Sequence, residues 1–143
     1  ALIGMVGDRD SRAGILTQGA LMATHAKGDQ SSPVFRGKFV REQLMCQALP
    51  LPPADLVIVP PEIDSSKTTR EQFEELTGNG DCASCHALMN PIGFGFEHYD
   101  GVGLWRDTQN EKPIDATSHS RVTPAAPQVT QRQRGRLRLG AKW

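Results

Sequence analysis

The sequence is poor in the residues that build a large apolar core. Hydrophobic residues make up 38% and aromatic residues 6% of its 143 residues. This length predicts one domain, but the composition is lean for its core. No apolar run approaches the roughly 20 residues that span a bilayer, and no charged and apolar leader opens the chain. We therefore expect one domain without a membrane span, in a mature protein or a piece cut from a longer one, since the chain starts at Ala1.

Net charge is also absent, because 16 basic residues balance 16 acidic ones. Six of the basic residues follow residue 120, where no acidic residue occurs, so residues 1–120 are acidic. A basic arm of this kind can bind nucleic acid, but a solvated tail is the commoner case. Residues 118–143 are rich in Pro, Gln and Arg and lack apolar periodicity, so we expect a poorly structured or non-native tail that does not bind nucleic acid.

Helical patterns occupy the first third of the chain. Apolar spacing predicts a first helix from Ser11 to about His25. Ser32 as a cap and Pro33 at the first helical position predict the start of a second helix. Residues 50–61 contain five prolines, so this stretch should run as extended chain over the surface.

The second half of the chain begins with a helix-start signal. Thr68 and Glu71 form a capping box that opens a third helix. Phe73 and Leu76 should face inward from this helix, and Gly78 should stop it.

A fourth helix and a hairpin complete the expected elements. The helix should hold Cys82–Met89 and be closed by Pro91. Residues Trp105–Thr108 and Pro113–Ala116 flank a polar stretch and predict a small hairpin. The sequence therefore predicts a mainly α fold with one small β-hairpin.

Cysteine is scarce as well, and two of the three cysteines stand in one motif, Cys82-Ala83-Ser84-Cys85-His86. This spacing is the attachment signature of c-type haem. On one turn of helix the two thiols share a face and form thioethers with the haem vinyl groups, and His86 becomes the proximal iron ligand. A thioredoxin-like pair would follow a strand, and a structural zinc site would need a second Cys/His pair. Neither accompanies the motif, so we expect cytochrome c-like short helices around a covalent haem.

Other residues are candidates for the haem surroundings. Phe94 and Trp105 follow the motif and would suit a porphyrin edge, unless they form the core of the hairpin. Arg36 and Arg41 are bidentate donors that could pair with the haem propionates, or they are surface charges of the second helix. A bound haem would also fill the lean core.

Several side chains are candidates for the sixth iron ligand. Met89 follows His86 by three residues on the same helix, so it belongs to the proximal side. The candidates in order are His25, then Met45 or Met22, then His98 and His119. A methionine raises the reduction potential relative to a second histidine, whereas an open position permits peroxide or gas chemistry.

The third cysteine, Cys46, has no internal partner if the other two hold haem. It follows Leu44 and Met45, so we expect it to be buried. The alternative is an exposed thiol that forms a dimer through an intermolecular disulfide.

Three stretches of the chain carry a further signal. They are RAGILTQG at 12–19 continued by SPVFRGKFVRE at 32–42, TTRE at 68–71, and CASCHALMNPIGFGFE at 82–97 continued by YDGVGLWR at 99–106 and PIDA at 113–116. Together they resemble a family of cytochrome-like domains of unknown function found in large exported bacterial proteins. The resemblance covers about residues 11–117 and fails at the basic tail. It implies a c-type haem-binding domain over 1–117, covalently attached haem c and a periplasmic or exported location.

These observations lead to three hypotheses of function. The first is a monohaem c-type cytochrome domain that carries single electrons in the bacterial periplasm, with a redox partner protein that the sequence does not identify. The second is a five-coordinate c-haem enzyme with peroxidase-like or other oxidative activity, for which no paired catalytic groups can be assigned. The third is a binding module that uses the basic tail. A hydrolase is not expected, because no G-x-S-x-G elbow occurs.

Overall fold

The computed structural model describes residues 12, 14–52 and 62–118, and within them the chain is mainly helical. The helices are α1 (Gly19–Thr24, after a 3₁₀ turn at Ile15–Thr17), α2 (Pro33–Phe39, continued by a π-helical turn at Val40–Leu44), α3 (Thr69–Thr77) and α4 (Gly80–Phe94). Two antiparallel strands, β1 (Thr108–Gln109) and β2 (Lys112–Pro113), form a small sheet. The expectation of a mainly α fold with a small β-hairpin is confirmed.

Two helices begin where their capping residues predict. The side chain of Ser32 accepts a hydrogen bond from the Phe35 backbone N at 3.3 Å, and Pro33 occupies the first turn of α2. At the start of α3, Thr68 Oγ1 accepts from the Glu71 N at 3.2 Å, and Glu71 Oε2 accepts from the Thr68 N at 2.7 Å. Each cap satisfies backbone N–H groups that a helix start leaves without partners. Both predicted helix starts are confirmed.

Helices α2 and α4 run antiparallel and touch through two glycines. A Cβ atom at Gly37 would lie 2.0 Å from the Met89 carbonyl oxygen, and one at Gly93 would lie 1.9 Å from the Pro33 carbonyl oxygen. Only a residue without a side chain allows this approach of the two backbones. Because the contact pairs run in opposite directions along the two helices, the π-helical turn after α2 extends toward the first half of α4.

The expected end of the fourth helix was wrong. Helix α4 does not stop at Met89 but continues through Pro91 to Phe94. Proline inside a helix removes one backbone hydrogen bond and strains the preceding turn. The last two turns of α4, which contain Pro91, also carry Met89, Gly93 and Phe94, which are buried. Tertiary packing of these two turns therefore outweighs the local preference of proline.

Two further helix expectations need correction. The first helix is short, because Gln18 adopts an extended conformation between the 3₁₀ turn and α1. Its end near His25 is confirmed, whereas the expected cap Ser11 lies outside the described residues. In α3, Phe73 is buried as expected, but Leu76 is 52% exposed. The buried face of α3 follows Thr69, Gln72 and Phe73; Leu76 lies on the same face by helical spacing but stands in the last turn, where it is exposed.

The hairpin is shorter than the sequence suggests. Thr108 pairs with Pro113 and Gln109 pairs with Lys112. The two turn residues, Asn110 and Glu111, both have positive φ angles, of 51° and 62°. Two successive left-handed residues give the tight turn whose twist matches that of paired strands. The hairpin itself is confirmed, with strands of two residues each.

The interior combines few apolar side chains with several charged and polar ones. In the described part of the chain, the buried apolar side chains are Met22, Phe73, Met89, Phe94 and Tyr99. Arg36 and Glu97 are buried to the same degree. The lean composition therefore corresponds to a small apolar core that polar contacts supplement.

Some expectations concern residues that the structure does not describe. The extended stretch at 50–61 falls largely on the undescribed residues 53–61, and the basic tail falls almost entirely on residues 119–143, which include His119. No helix in the described ranges is long and apolar enough to cross a membrane.

Candidate functional site

The Cys-Ala-Ser-Cys-His motif at residues 82–86 lies in the first two turns of α4. Cys82, Cys85 and His86 are all helical and half-buried, and all three cysteines of the chain are free thiols. At 3.6 residues per turn, the three motif side chains fall within about 100° of arc. The two thiols and the imidazole therefore share one face of one helix, as the motif predicts.

The imidazole of His86 is held by a neighbouring turn of the same helix. Its Nδ1 lies 3.0 Å from Oδ1 of Asn90, a residue that is only 6% exposed. Asn90 Nδ2 donates to Thr77 Oγ1 at 2.8 Å, and the Thr77 hydroxyl donates to the carbonyl oxygen of Phe73. These contacts fix the ring of His86 from one side only. Among the described residues, the other nitrogen, Nε2, has no hydrogen-bond partner and is free to bind a metal.

Arg41 lies beside the motif, on the π-helical turn that extends from α2. Its Nη1 donates to the Leu88 carbonyl oxygen of α4 at 3.1 Å. Its Nε is buried and has no partner within the described ranges. An unpaired guanidinium N–H next to the motif fits an anionic ligand group such as a haem propionate. The chemistry of this donor set therefore fits a c-type haem.

Arg36, the other predicted propionate partner, is committed to the protein backbone. Its side chain is 1% exposed, and burial lowers the pKa of its guanidinium from the ordinary value of an arginine. The guanidinium donates to four carbonyl oxygens: Phe96 at 3.0 Å, Tyr99 at 2.7 Å, Asp100 at 2.6 Å and Met22 at 3.4 Å. This geometry gives Arg36 a structural role, and its contact with haem stays a prediction.

The two predicted aromatic contacts have different surroundings. Phe94 is 4% exposed, and the guanidinium of Arg70 lies 4.7 Å from its ring centroid. Trp105 is 43% exposed and stacks on His98 with the ring centroids 4.5 Å apart. Trp105 also meets the Tyr99 ring edge-on at 5.3 Å. Phe94 is thus a core residue of α4, whereas Trp105 offers an exposed ring.

The candidates for the sixth iron ligand fall into two groups. Met22 and His25 line the same shallow depression next to α2, as their spacing on one helix face predicts. His25 Nδ1 lies 3.0 Å from the Leu21 carbonyl oxygen, and its ring packs 4.3 Å from Phe39. Met45 is half-buried and follows the π-helical turn that extends toward the motif. These side chains stay alternatives for the sixth ligand.

The expected burial of Cys46 was wrong. Cys46 is exposed and has a positive φ angle of 53°. It directly follows Met45, at which the π-helical turn ends, so it lies beyond the helix and not on a helix face that packs inward. A dimer through Cys46 stays a prediction.

Sequence reasoning missed Asn90 and Thr77. The spacing of four residues between His86 and Asn90 could have indicated their contact, because such residues are neighbours on a helix face. Thr77 gave no such signal, since it belongs to α3 and reaches Asn90 only through the packing of two helices.

A comparison with known protein families identifies the family of this chain. The sequence model of the family PSCyt3, described as a protein of unknown function (DUF1588), matches residues 12–109. The chain belongs to this family. The PSCyt3 match runs from before α1 to the end of β1 and includes the motif on α4. A search of the curated proteins and a search of the solved structures return no match. A covalent haem and an exported location stay predictions.

Proposed function

We propose that this chain is a monohaem c-type cytochrome domain that carries single electrons in the bacterial periplasm or outside the cell. The observation that supports it best is the shared face of Cys82, Cys85 and His86 on α4, with the His86 ring held through Nδ1. A haem attached there supplies an iron that exchanges one electron between the ferric and ferrous states.

The side chains of this face would have separate roles. Cys82 and Cys85 would hold the porphyrin through thioether bonds, and His86 Nε2 would bind the iron. Asn90 orients the imidazole through its contact with Nδ1. The guanidinium of Arg41, with its unpaired Nε, would neutralise a propionate. Among the described residues no three His, Cys, Asp or Glu side chains form a group that could hold a metal ion directly, but a haem iron needs only His86 from this motif.

The first experiment is an absorption spectrum of the full chain produced together with haem-maturation machinery. We expect the reduced protein to show the sharp α-band of a low-spin c-type haem. Acidified organic solvent should leave the colour on the protein, because thioether bonds resist extraction. A colourless product would contradict the proposal.

Cysteine variants supply the matched control. Cys82→Ala combined with Cys85→Ala should abolish covalent attachment, so that the solvent extracts all haem. Cys46→Ala removes the exposed third thiol and should leave attachment unchanged. Equal loss of haem from both variants would show that the motif has no special part in attachment.

The same spectrum separates electron transfer from the alternative of an oxidative enzyme. A low-spin spectrum that does not change with cyanide indicates six ligands and supports electron transfer. A high-spin spectrum that shifts with cyanide or peroxide indicates an open position and would replace the proposal by the enzyme. In the low-spin case, we expect one of the variants His25→Ala, Met45→Ala and Met22→Ala to change the spectrum to high-spin. The residue replaced in that variant is then the sixth ligand.

A further inference from the structure

Four groups connect α3 to His86 through consecutive hydrogen bonds. They are the Phe73 carbonyl oxygen, the Thr77 hydroxyl, the Asn90 carboxamide and His86 Nδ1. Thr77 lies in the last turn of α3, and both Asn90 and His86 lie in α4. The hydrogen bonds therefore run from one helix to the next. The donor and acceptor of each bond can be assigned by starting from the Phe73 carbonyl oxygen.

The direction follows from the number of hydrogens that each group carries. A backbone carbonyl only accepts, so the single hydrogen of the Thr77 hydroxyl points to Phe73. Thr77 Oγ1 can then only accept from Asn90, which places the NH₂ group of the carboxamide toward Thr77. The carboxamide oxygen must consequently face His86, and Nδ1 must carry the proton. The lone pair of the imidazole is left on Nε2.

We infer that Thr77, through Asn90, is a positioning residue that fixes the tautomer of His86 and thereby tunes the site. The assignment of the tautomer needs only the hydrogen-bond chain, whereas its effect on an iron rests on the proposed function. A histidine that donates its other N–H to an oxygen is a more basic metal ligand, which stabilises the ferric state. These hydrogen bonds thus keep the lone pair of His86 on Nε2, where it can bind the metal, and they lower the reduction potential of the site.

The test replaces Thr77 with valine, which has the same shape but no hydroxyl. Without Thr77 Oγ1, the carboxamide of Asn90 loses the partner that fixes its orientation. We expect the midpoint potential of the haem-loaded full chain to shift to a more positive value in Thr77→Val. Thr77→Ser retains a hydroxyl and should restore the original potential.

A matched control exists in α1. The hydroxyl of Thr24 donates to the Ala20 carbonyl oxygen at 2.8 Å, the same kind of contact within a helix turn, at an exposed position without a histidine partner. Thr24→Val should leave the midpoint potential unchanged. An equal shift in Thr24→Val and Thr77→Val, or no shift in Thr77→Val, would overturn the inference.

A second readout does not need haem. Nitrogen-15 NMR of the full chain purified without haem distinguishes the two neutral tautomers of His86. We expect the Nδ1–H form in the unaltered chain and in Thr77→Ser, and a mixture in Thr77→Val or, if that variant does not fold, in Thr77→Ala. The Nε2–H form in the unaltered chain would overturn the assignment, even if haem attaches. The Nδ1–H form in a chain that never takes up haem would support the assignment and contradict the proposed function.

Discussion

Arg36 donates hydrogen bonds to four backbone carbonyl oxygens from three separate parts of the chain. Met22 belongs to α1, Phe96 follows α4, and Tyr99 and Asp100 belong to the loop before β1. Buried carbonyl groups need partners, because water cannot reach them. One side chain therefore supplies the hydrogen bonds that would otherwise require regular structure in this loop.

Replacing Arg36 with methionine should strongly destabilise the folded chain. Methionine retains most of the aliphatic length but leaves four carbonyl oxygens and the buried Glu97 without the guanidinium. We expect the free energy of unfolding to fall by about 3–5 kcal/mol, the range for a broken buried charge contact. Urea denaturation followed by circular dichroism measures it.

The matched control is Lys38→Met, two residues further along α2. Lys38 is 53% exposed and lies 4.0 Å from Glu42, a pair that contributes little in water. We expect the free energy of unfolding to change by no more than about 0.5 kcal/mol in this variant. A similar loss in both variants would contradict the structural role of Arg36.

Glu97 should give the stability of the chain a pH dependence. Its side chain is 2% exposed, and Oε2 accepts from Ser31 Oγ at 3.0 Å and lies 3.3 Å from Arg106 Nη2. Oε1 is buried without a partner in the described part. Burial raises the pKa of Glu97 above its ordinary value of 4.5, against the opposing charges of Arg106, Arg36 and Arg70.

The sign follows from this raised pKa. The folded state holds the proton more tightly than the unfolded state, so the contribution of Glu97 to the free energy of unfolding is full below pH 4.5 and falls as the pH rises through the raised pKa. Glu97→Gln removes the titration, so the stability of the unaltered chain should decline relative to this variant as the pH rises. Denaturation at several pH values checks this, with Glu62→Gln at an exposed position as control. Parallel curves for the unaltered chain and Glu97→Gln would refute it.

At the scale of elements, the packing of α2 on α4 depends on the two contact glycines. Alanine at Gly93 would place Cβ 1.9 Å from a carbonyl oxygen, so the helices must separate. Alanine favours a helix by about 1 kcal/mol over glycine, but we expect overpacking of about 3 kcal/mol or more to outweigh this gain. Gly37→Ala should act in the same direction, and thermal unfolding measures both.

Gly28→Ala is the control for these two substitutions. No heavy atom lies within 4 Å of the position that its Cβ would take. We expect the free energy of unfolding of Gly28→Ala to differ from that of the unaltered chain by no more than about 1 kcal/mol, in either direction. If Gly93→Ala and Gly28→Ala have the same melting temperature, the close contact of α2 and α4 does not hold the fold together.

Elements that depend on local contacts could be predicted from the sequence. The caps at Ser32 and Thr68 form within four residues, so the sequence carries the whole signal. The extension of α4 through Pro91 could not be predicted, because packing between elements overrides a strong local rule there. The site shows the same division: its motif is contiguous, whereas Thr77 reaches it from another helix.

At the scale of the whole molecule, the small apolar core leads to a prediction about the haem. Five apolar side chains are buried in the described part of the chain, and charged side chains share the interior with them. A covalently attached porphyrin would add apolar surface to this interior and bury more of the chain on folding. The proposed haem should therefore be a structural component of the fold as well as the proposed redox centre.

The double variant Cys82→Ala with Cys85→Ala tests this in the absence of covalent haem. Relative to the haem-loaded chain, it should unfold at a lower urea concentration and with a smaller dependence of the free energy on urea, because less surface is exposed on unfolding. Cys46→Ala should retain both values, since the exposed third thiol lies outside the proposed attachment motif. An unchanged midpoint and slope in the double variant would mean that the polar contacts around Arg36 and Glu97 complete the core on their own, and that the haem only lies against it.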